Sequence, residues 1–153
     1  MSHTVTQSWI RIVWVAGALV WGAVATAAEP EDIIKYRQSV MKSVGGHMGA
    51  LTQIVRGKVE YPDDVQYHVE SIARSMKTVL SLFPVDSDFG ETRALESVWS
   101  KPDDFKKVAE AAAIAAGDLV QAYSKSSADI GEKFEALGEA CKACHKDFRE
   151  EDK

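Results

Sequence analysis

Ile130-Gly131-Glu132-Lys133-Phe134-Glu135-Ala136-Leu137-Gly138-Glu139-Ala140-Cys141-Lys142-Ala143-Cys144-His145-Lys146-Asp147-Phe148 is the stretch from which the architecture is read. Ile130, Phe134, Leu137, Cys141, Cys144 and Phe148 recur at alternating steps of four and three. That recurrence winds a single stripe along an α-helix, whereas a strand would scatter the same residues over both faces. The pattern predicts a last helix that begins near Ser127 and buries this stripe.

Working back along the chain, Phe105, Val108, Ala112, Ala115, Leu119 and Ala122 repeat the pattern, and so do Val65, Val69, Ile72, Met76, Val79 and Phe83. A first helix, roughly 31 to 56, carries Ile33, Val40, Val44, Leu51 and Val55, with Gly57 as its stop. Three helix starts share one local chemistry: Pro30-Glu31-Asp32, Pro62-Asp63-Asp64 and Pro102-Asp103-Asp104. Proline is tolerated in the first turn because its missing N–H is not needed there, and the acids complement the positive end of the helix dipole. Four amphipathic helices and no strand pattern predict an all-α protein, an antiparallel four-helix bundle. The longest connection, from Pro84 to Lys101, is polar and wraps the bundle. Within the first helix, Gly45-Gly46-His47-Met48-Gly49 is consistent with two readings. One is a weakened or bent helix; the other is close approach by a neighbouring helix, including one from a second subunit.

The first 28 residues differ from the rest. From Trp9 to Ala28 the only charge is Arg11, and three of the four tryptophans fall there. The run ends in Ala25-Thr26-Ala27-Ala28 before the charged Glu29. A basic flank, an apolar run and small residues at the exit predict a secretory signal, residues 1–28, cut after Ala27 or Ala28. The rival reading, an uncleaved anchor, has only the 17 residues from Ile12 to Ala28, short for a bilayer span. The expected mature domain is 29–153, with no membrane attachment once the signal is removed.

The formal net charge is −5, and one unit more negative without Arg11. An acidic surface excludes nucleic acid and anionic membrane faces as natural partners and suits a redox partner with a basic docking patch. Two cysteines are too few for a disulfide framework.

Those cysteines sit in Cys141-Lys142-Ala143-Cys144-His145, the C-x-x-C-H pattern of c-type haem attachment. In such a site the two thiols add across the haem vinyl groups and the histidine reaches the iron from the same side. Cys141 and His145 are four residues apart, so a haem attached there enters the bundle from the last helix. A thioredoxin-like pair would need a helix N-terminus in a βαβ setting. A structural zinc site would need four ligands, and His47 and His68 lack paired spacing. Export and haem attachment point the same way, to the periplasm.

With these residues in view, the mature chain resembles the cytochrome c′ family, including its low-spin relatives of the cytochrome c556 type. The resemblance rests on Lys35-Tyr36-Arg37-Gln38, Leu82-Phe83-Pro84, Val98-Trp99 and the closing Cys-Lys-Ala-Cys-His-Lys-Asp-Phe-Arg of 141–149. It implies a four-helix bundle with one haem c per chain on the last helix, a periplasmic location, and commonly a homodimer through the first two helices. It also implies that the haem face opposite His145 meets the residue four positions after Arg37, which is Met41. In low-spin members a methionine there binds the iron and the protein carries electrons. In high-spin members the position is non-coordinating and the open iron binds nitric oxide or carbon monoxide.

Thioether ligation suits haem iron and raises its potential, although methionine is also an ordinary core filler. Met48 and Met76 are read as core. The resemblance further implies that Arg37 and Gln38 lie near the haem propionates and that Trp99 packs near the haem. The competing reading of Arg37 is a surface ion pair with Glu31 or Asp32. Arg149 would tune His145 or complement the last helix's negative end. The expected function is therefore periplasmic electron transfer through a His145/Met41 haem, with gas binding as the alternative. A peroxidase-like enzyme ranks last, because no histidine is placed for distal acid–base work.

Overall fold

The computed structural model describes residues 28–125 and 129–151. The expected export segment, residues 1–27, and the expected helix start near Ser127 lie outside the described residues. Helix α1 spans Pro30–Val55, α2 Val65–Lys77, the short α3 Ser97–Ser100, α4 Pro102–Ser124 and α5 Ile130–Phe148. Two 3-10 turns, Pro62–Asp64 and Val79–Leu82, flank α2. The result is an all-α, antiparallel four-helix bundle built from α1, α2, α4 and α5.

The ends follow from local chemistry. Pro30 and Pro102 occupy the first helical turn with acids behind them, as the punctuation predicts. Pro62-Asp63-Asp64 instead makes a 3-10 turn that hands over to α2 at Val65. Helix α1 stops at Gly57, whose φ of 63° only glycine adopts at no cost. There Lys58 N–H donates to Gln53 O at 2.8 Å and Gly57 N–H to Ile54 O at 2.9 Å. This pair of bonds is the Schellman arrangement that satisfies the last carbonyls. The glycines at 45, 46 and 49 do not break α1, and a Cβ built on any of them meets nothing within 4 Å. Among the described residues, therefore, no neighbour packs against these three positions.

The inward stripe of α1 differs from the expected one. Ile34, Arg37, Val44 and Leu51 are buried, Ile33 and Val40 are half-buried, and Val55 is exposed. The stripe runs through an arginine, which an apolar count passes over. In α4 the buried residues are Phe105, Ala109, Ala112, Ala116, Leu119 and Ala122, with Val108 and Ala115 half-buried beside them.

The main core gathers Val44, Leu51, Val69, Ile72, Met76, Leu119, Leu137 and the α4 alanines. A second cluster, Val98, Phe105 and Phe148, caps one end of the bundle. The antiparallel order explains it: the start of α1, the end of α2, the start of α4 and the end of α5 all lie at that end. Packing closes three sides of the bundle, α1 on α2, α2 on α4 and α4 on α5. The fourth side, between α1 and α5, stays apart. The 84–101 connection folds over the same end and adds the one-turn helix α3 that the sequence reading did not anticipate.

A haem-sized cavity between the first and last helices

The gap between α1 and α5 is a cavity of about 520 Å³. From α1 it is lined by Arg37, Gln38, Met41, Lys42 and Gly45, and from α5 by Cys144, His145 and Phe148. Val79, Phe83 and Phe105 close its floor, with Thr92, Arg93, Ala94 and Arg149 at the rim. The helices thus bring Arg37, Gln38, Met41, Cys144 and His145 to one space. Cys141 lies one turn earlier on α5, half-buried against the main core, while Cys144 packs on the second cluster. Met41 is half-buried and the His145 side chain is exposed at the cavity. Trp99 is not in the lining; it stands behind Phe83, ring centroids 6.2 Å apart, and donates Nε1–H to Pro84 O at 3.0 Å.

The walls are aromatic. Phe83 meets Phe105 edge to face at 4.9 Å, and Phe105 meets Phe148 at 5.2 Å. Such pairs keep the wall rigid and dry. From sequence, these three rings fall at the ends of apolar stripes, and Phe83 and Phe148 within the resemblance, without being brought to one wall. Antiparallel order is the signal that would have grouped them.

Arg37 is the unexpected element. It is 3% exposed, so the surface ion pair with Glu31 or Asp32 does not form. One nitrogen, Nη1, donates to Leu82 O at 3.3 Å and Ser87 Oγ at 3.0 Å, and Nη2 to Ser87 O at 3.0 Å and Thr92 Oγ1 at 2.8 Å. The guanidinium also lies 4.6 Å from the Phe83 centroid and 5.7 Å from that of Trp99. None of these partners is a carboxylate. Burial lowers its pKa from the usual arginine value, yet a guanidinium stays charged in a protein. The cavity wall therefore carries a buried positive charge balanced only by neutral oxygens and ring faces. Next to it, Gln38 Nε2 donates to Glu91 O at 2.6 Å, pinning the same connection.

The far end of α5 is stitched to that connection as well. Leu95 N–H donates to Phe148 O at 3.1 Å, Glu150 N–H to Arg93 O at 2.8 Å, and Ser97 Oγ to Asp147 O at 2.7 Å. Burial pushes both thiols up, Cys144 to about 11 with the neighbouring Cys141 and Asp147 adding to the effect. The two cysteines form no disulfide with each other.

The residues present fit a covalently held haem. Two thiols and an imidazole stand on one helix, a thioether on the facing helix, aromatic rings form the walls, and a buried cation suits a propionate. A second cavity of about 550 Å³ lies between α2, α4 and the start of α5. Its lining of Gln66, Val69, Glu70, Val120, Tyr123, Ser124 and Ile130 holds no cysteine to attach a haem and no histidine or methionine to ligate it.

Outside the cavity, His47 and His68, read as unpaired from sequence, meet across α1 and α2 with Nδ1 atoms 2.8 Å apart. Among the described residues no group of three or more His, Cys, Asp or Glu side chains stands ready for a metal ion.

Comparison with known proteins agrees with this geometry. A family model described as "Cytochrome C'" matches residues 32–149. A cytochrome c′ from Pararhodospirillum photometricum is 39% identical over 125 residues, covering 80% of this chain and 100% of the relative. Cytochrome c-556 from Agrobacterium fabrum is 34% identical over 136 residues, covering 87% and 88%. A solved nitric oxide complex of a cytochrome c prime variant from Alcaligenes xylosoxidans superposes with a TM-score of 0.75 at 28% identity, covering 82% of this chain and all of that one.

Proposed function

The chain belongs to the cytochrome c′ family, and from that premise we propose that it is an exported electron carrier whose iron is held between His145 and Met41. As a family member it carries one covalent c-type haem per chain. The observation that carries the electron-transfer reading is Met41, a thioether lining the same cavity as His145 from the facing helix.

When bound, the haem supplies a one-electron couple at its iron. Cys141 and Cys144 would attach it to α5, and His145 and Met41 would hold its iron. A donor set kept in both oxidation states needs little rearrangement, which suits rapid electron exchange. Arg37, with Gln38 beside it, would offer the propionates a buried cation that has no carboxylate partner within the chain. Phe83, Phe105 and Phe148 keep water from the macrocycle, and Trp99 holds Phe83 in place from behind.

A second reading, gas binding at an open distal face, is favoured by the similarity to the nitric oxide complex. Enzymatic turnover is not part of the proposal: of the described histidines only His145 lines the cavity, leaving no distal imidazole for peroxidase chemistry. The acidic surface suits a basic redox partner. The exposed Gly46 and Gly49 of α1, with nothing within 4 Å of a Cβ at either, support a homodimer through the first two helices, checked by sedimentation of the haem-loaded protein. No helix among the described residues is long and apolar enough to cross a membrane, and the periplasm is the proposed location on the strength of residues 1–28.

Optical spectra decide between the two readings. Narrow low-spin bands with a ferric methionine–iron charge-transfer band, and no rapid response of the ferrous form to carbon monoxide, are expected. Broad high-spin bands that shift at once with carbon monoxide would make Met41 a bystander and gas binding the function.

A further inference from the structure

We propose that His47 and His68 form a second metal site, for a divalent first-row ion with Cu(II) preferred, on the α1/α2 face away from the haem. The two imidazoles come from different helices, 21 residues apart in sequence, yet their Nδ1 atoms stand 2.8 Å apart. Nitrogens this close meet one ion at bonds of about 2.0 Å once each ring turns. Imidazole suits copper, nickel and zinc alike, and the general affinity order puts Cu(II) first.

The pair is built rather than incidental. Both rings are half-buried, and the Tyr67 ring packs against each at a centroid distance of 5.3 Å, edge-on to His47. In the metal-free pair one ring donates an N–H to the other, so a single proton occupies the space between two lone pairs. To bind an ion through both Nδ1 atoms, the donor ring shifts to its Nε2–H tautomer, exchanging the proton through solvent, and each ring turns about its Cβ–Cγ bond to aim its lone pair at one point. Burial and the neighbouring His68 lower the pKa of His47, which keeps its ring in the neutral, ligating form. With no third His, Cys, Asp or Glu grouped there among the described residues, one chain supplies two ligands to the ion. Along α1, His47 is six residues from Met41, a rise of about 9 Å. The two sites therefore occupy one helix without sharing a ligand.

The test uses the haem-loaded protein, with His145 engaged by iron, stripped of trace metal and titrated with Cu(II). Calorimetry and electron paramagnetic resonance are expected to show one copper per chain with hyperfine structure from two imidazole nitrogens. His47→Gln and His68→Gln should each weaken binding at least about tenfold, since loss of an outer-shell partner alone costs about 10- to 100-fold. The double variant should show no specific binding. Copper bound equally well by either single variant, or retained by the double, overturns the proposal. A readout needing no variant is diethyl pyrocarbonate labelling followed by mass spectrometry. Cu(II) should protect both His47 and His68, and unprotected labelling of either ring also overturns it. Because the double variant serves as the baseline, a failure of the haem assignment would appear as copper at His145 in every variant and is told apart from a failure here.

Discussion

Where α2 meets α4, the bundle is sealed by Val69, Ile72, Ala112, Ala116 and Leu119, all apolar and all buried. Where α1 faces α5, it is held open by a buried cation, three aromatic rings and a connection folded over the end. The closed side rests on apolar side chains that recur at helical spacing on the two facing helices. The open side rests on single bonds that span 45 to 55 residues, from Arg37 to Leu82, Ser87 and Thr92. Holding two helices apart in water costs apolar contact, so the open side requires its own scaffold. That scaffold is polar where it latches and aromatic where it meets the cofactor.

Removing the attachment thiols tests the open side most severely. The double variant Cys141→Ala, Cys144→Ala should lose all covalently bound haem, read as the absence of a haem adduct by mass spectrometry of the denatured chain. A persistent adduct would mean that the cavity between α1 and α5 is not where haem is bonded. Next in size is a change confined to the closed side. Ile72, 0% exposed, loses its packing in Ile72→Ala, with an expected cost of about 2–5 kcal/mol in denaturant unfolding. The optical spectrum of the loaded protein should stay as it was. A spectral change as large as that of a cavity variant would show that the two sides are not separable.

Arg37→Met sharpens the contrast from the other direction. It removes the charge and leaves Ser87 and Thr92 without their donor, for an expected loss of about 1–3 kcal/mol. The loss is held down because an uncompensated buried charge goes with it. The reduction potential should fall, since taking away a cation near the iron disfavours the electron-rich state. Loss of stability with an unchanged potential would make Arg37 a latch for the connection and nothing more.

The two sides also differ in how far they could be read from sequence. The α2, α4 and α5 stripes were visible as steps of three and four, because burial there is decided by which face of a helix a residue occupies. C-x-x-C-H was visible because covalent attachment demands contiguous residues. In α1 the count placed Val44 and Leu51 correctly but took Ile33, Val40 and Val55 as inward with them, when Ile34 and Arg37 complete the stripe. An arginine on the stripe looks like a surface residue until its oxygen partners, which lie on a connection without periodicity, are in place. Trp99 illustrates the same limit: its position behind Phe83 depends on the fold of residues 84–101. His47 and His68 were dismissed for lacking paired spacing, although crossing helices pair residues at any separation.

The smallest expected effect lies on the closed side of α1, where that histidine pair offers a pH handle. His47 has its pKa lowered in the fold, by burial first and by His68 second. Below the ordinary histidine value of about 6.5 the unfolded chain binds more protons than the folded one, so acidification favours unfolding. Stability should be fully present above that pH and decline as pH falls through it toward the lowered folded value. Chelator-treated protein unfolded in denaturant across this range should show the decline, and His47→Gln should flatten it without moving the haem spectrum. A slope of the opposite sign would mean that the charged pair is favoured in the fold, as it would be if an acidic group from a second copy covered α1 and α2. The same measurement would then report on the dimer rather than on the isolated chain.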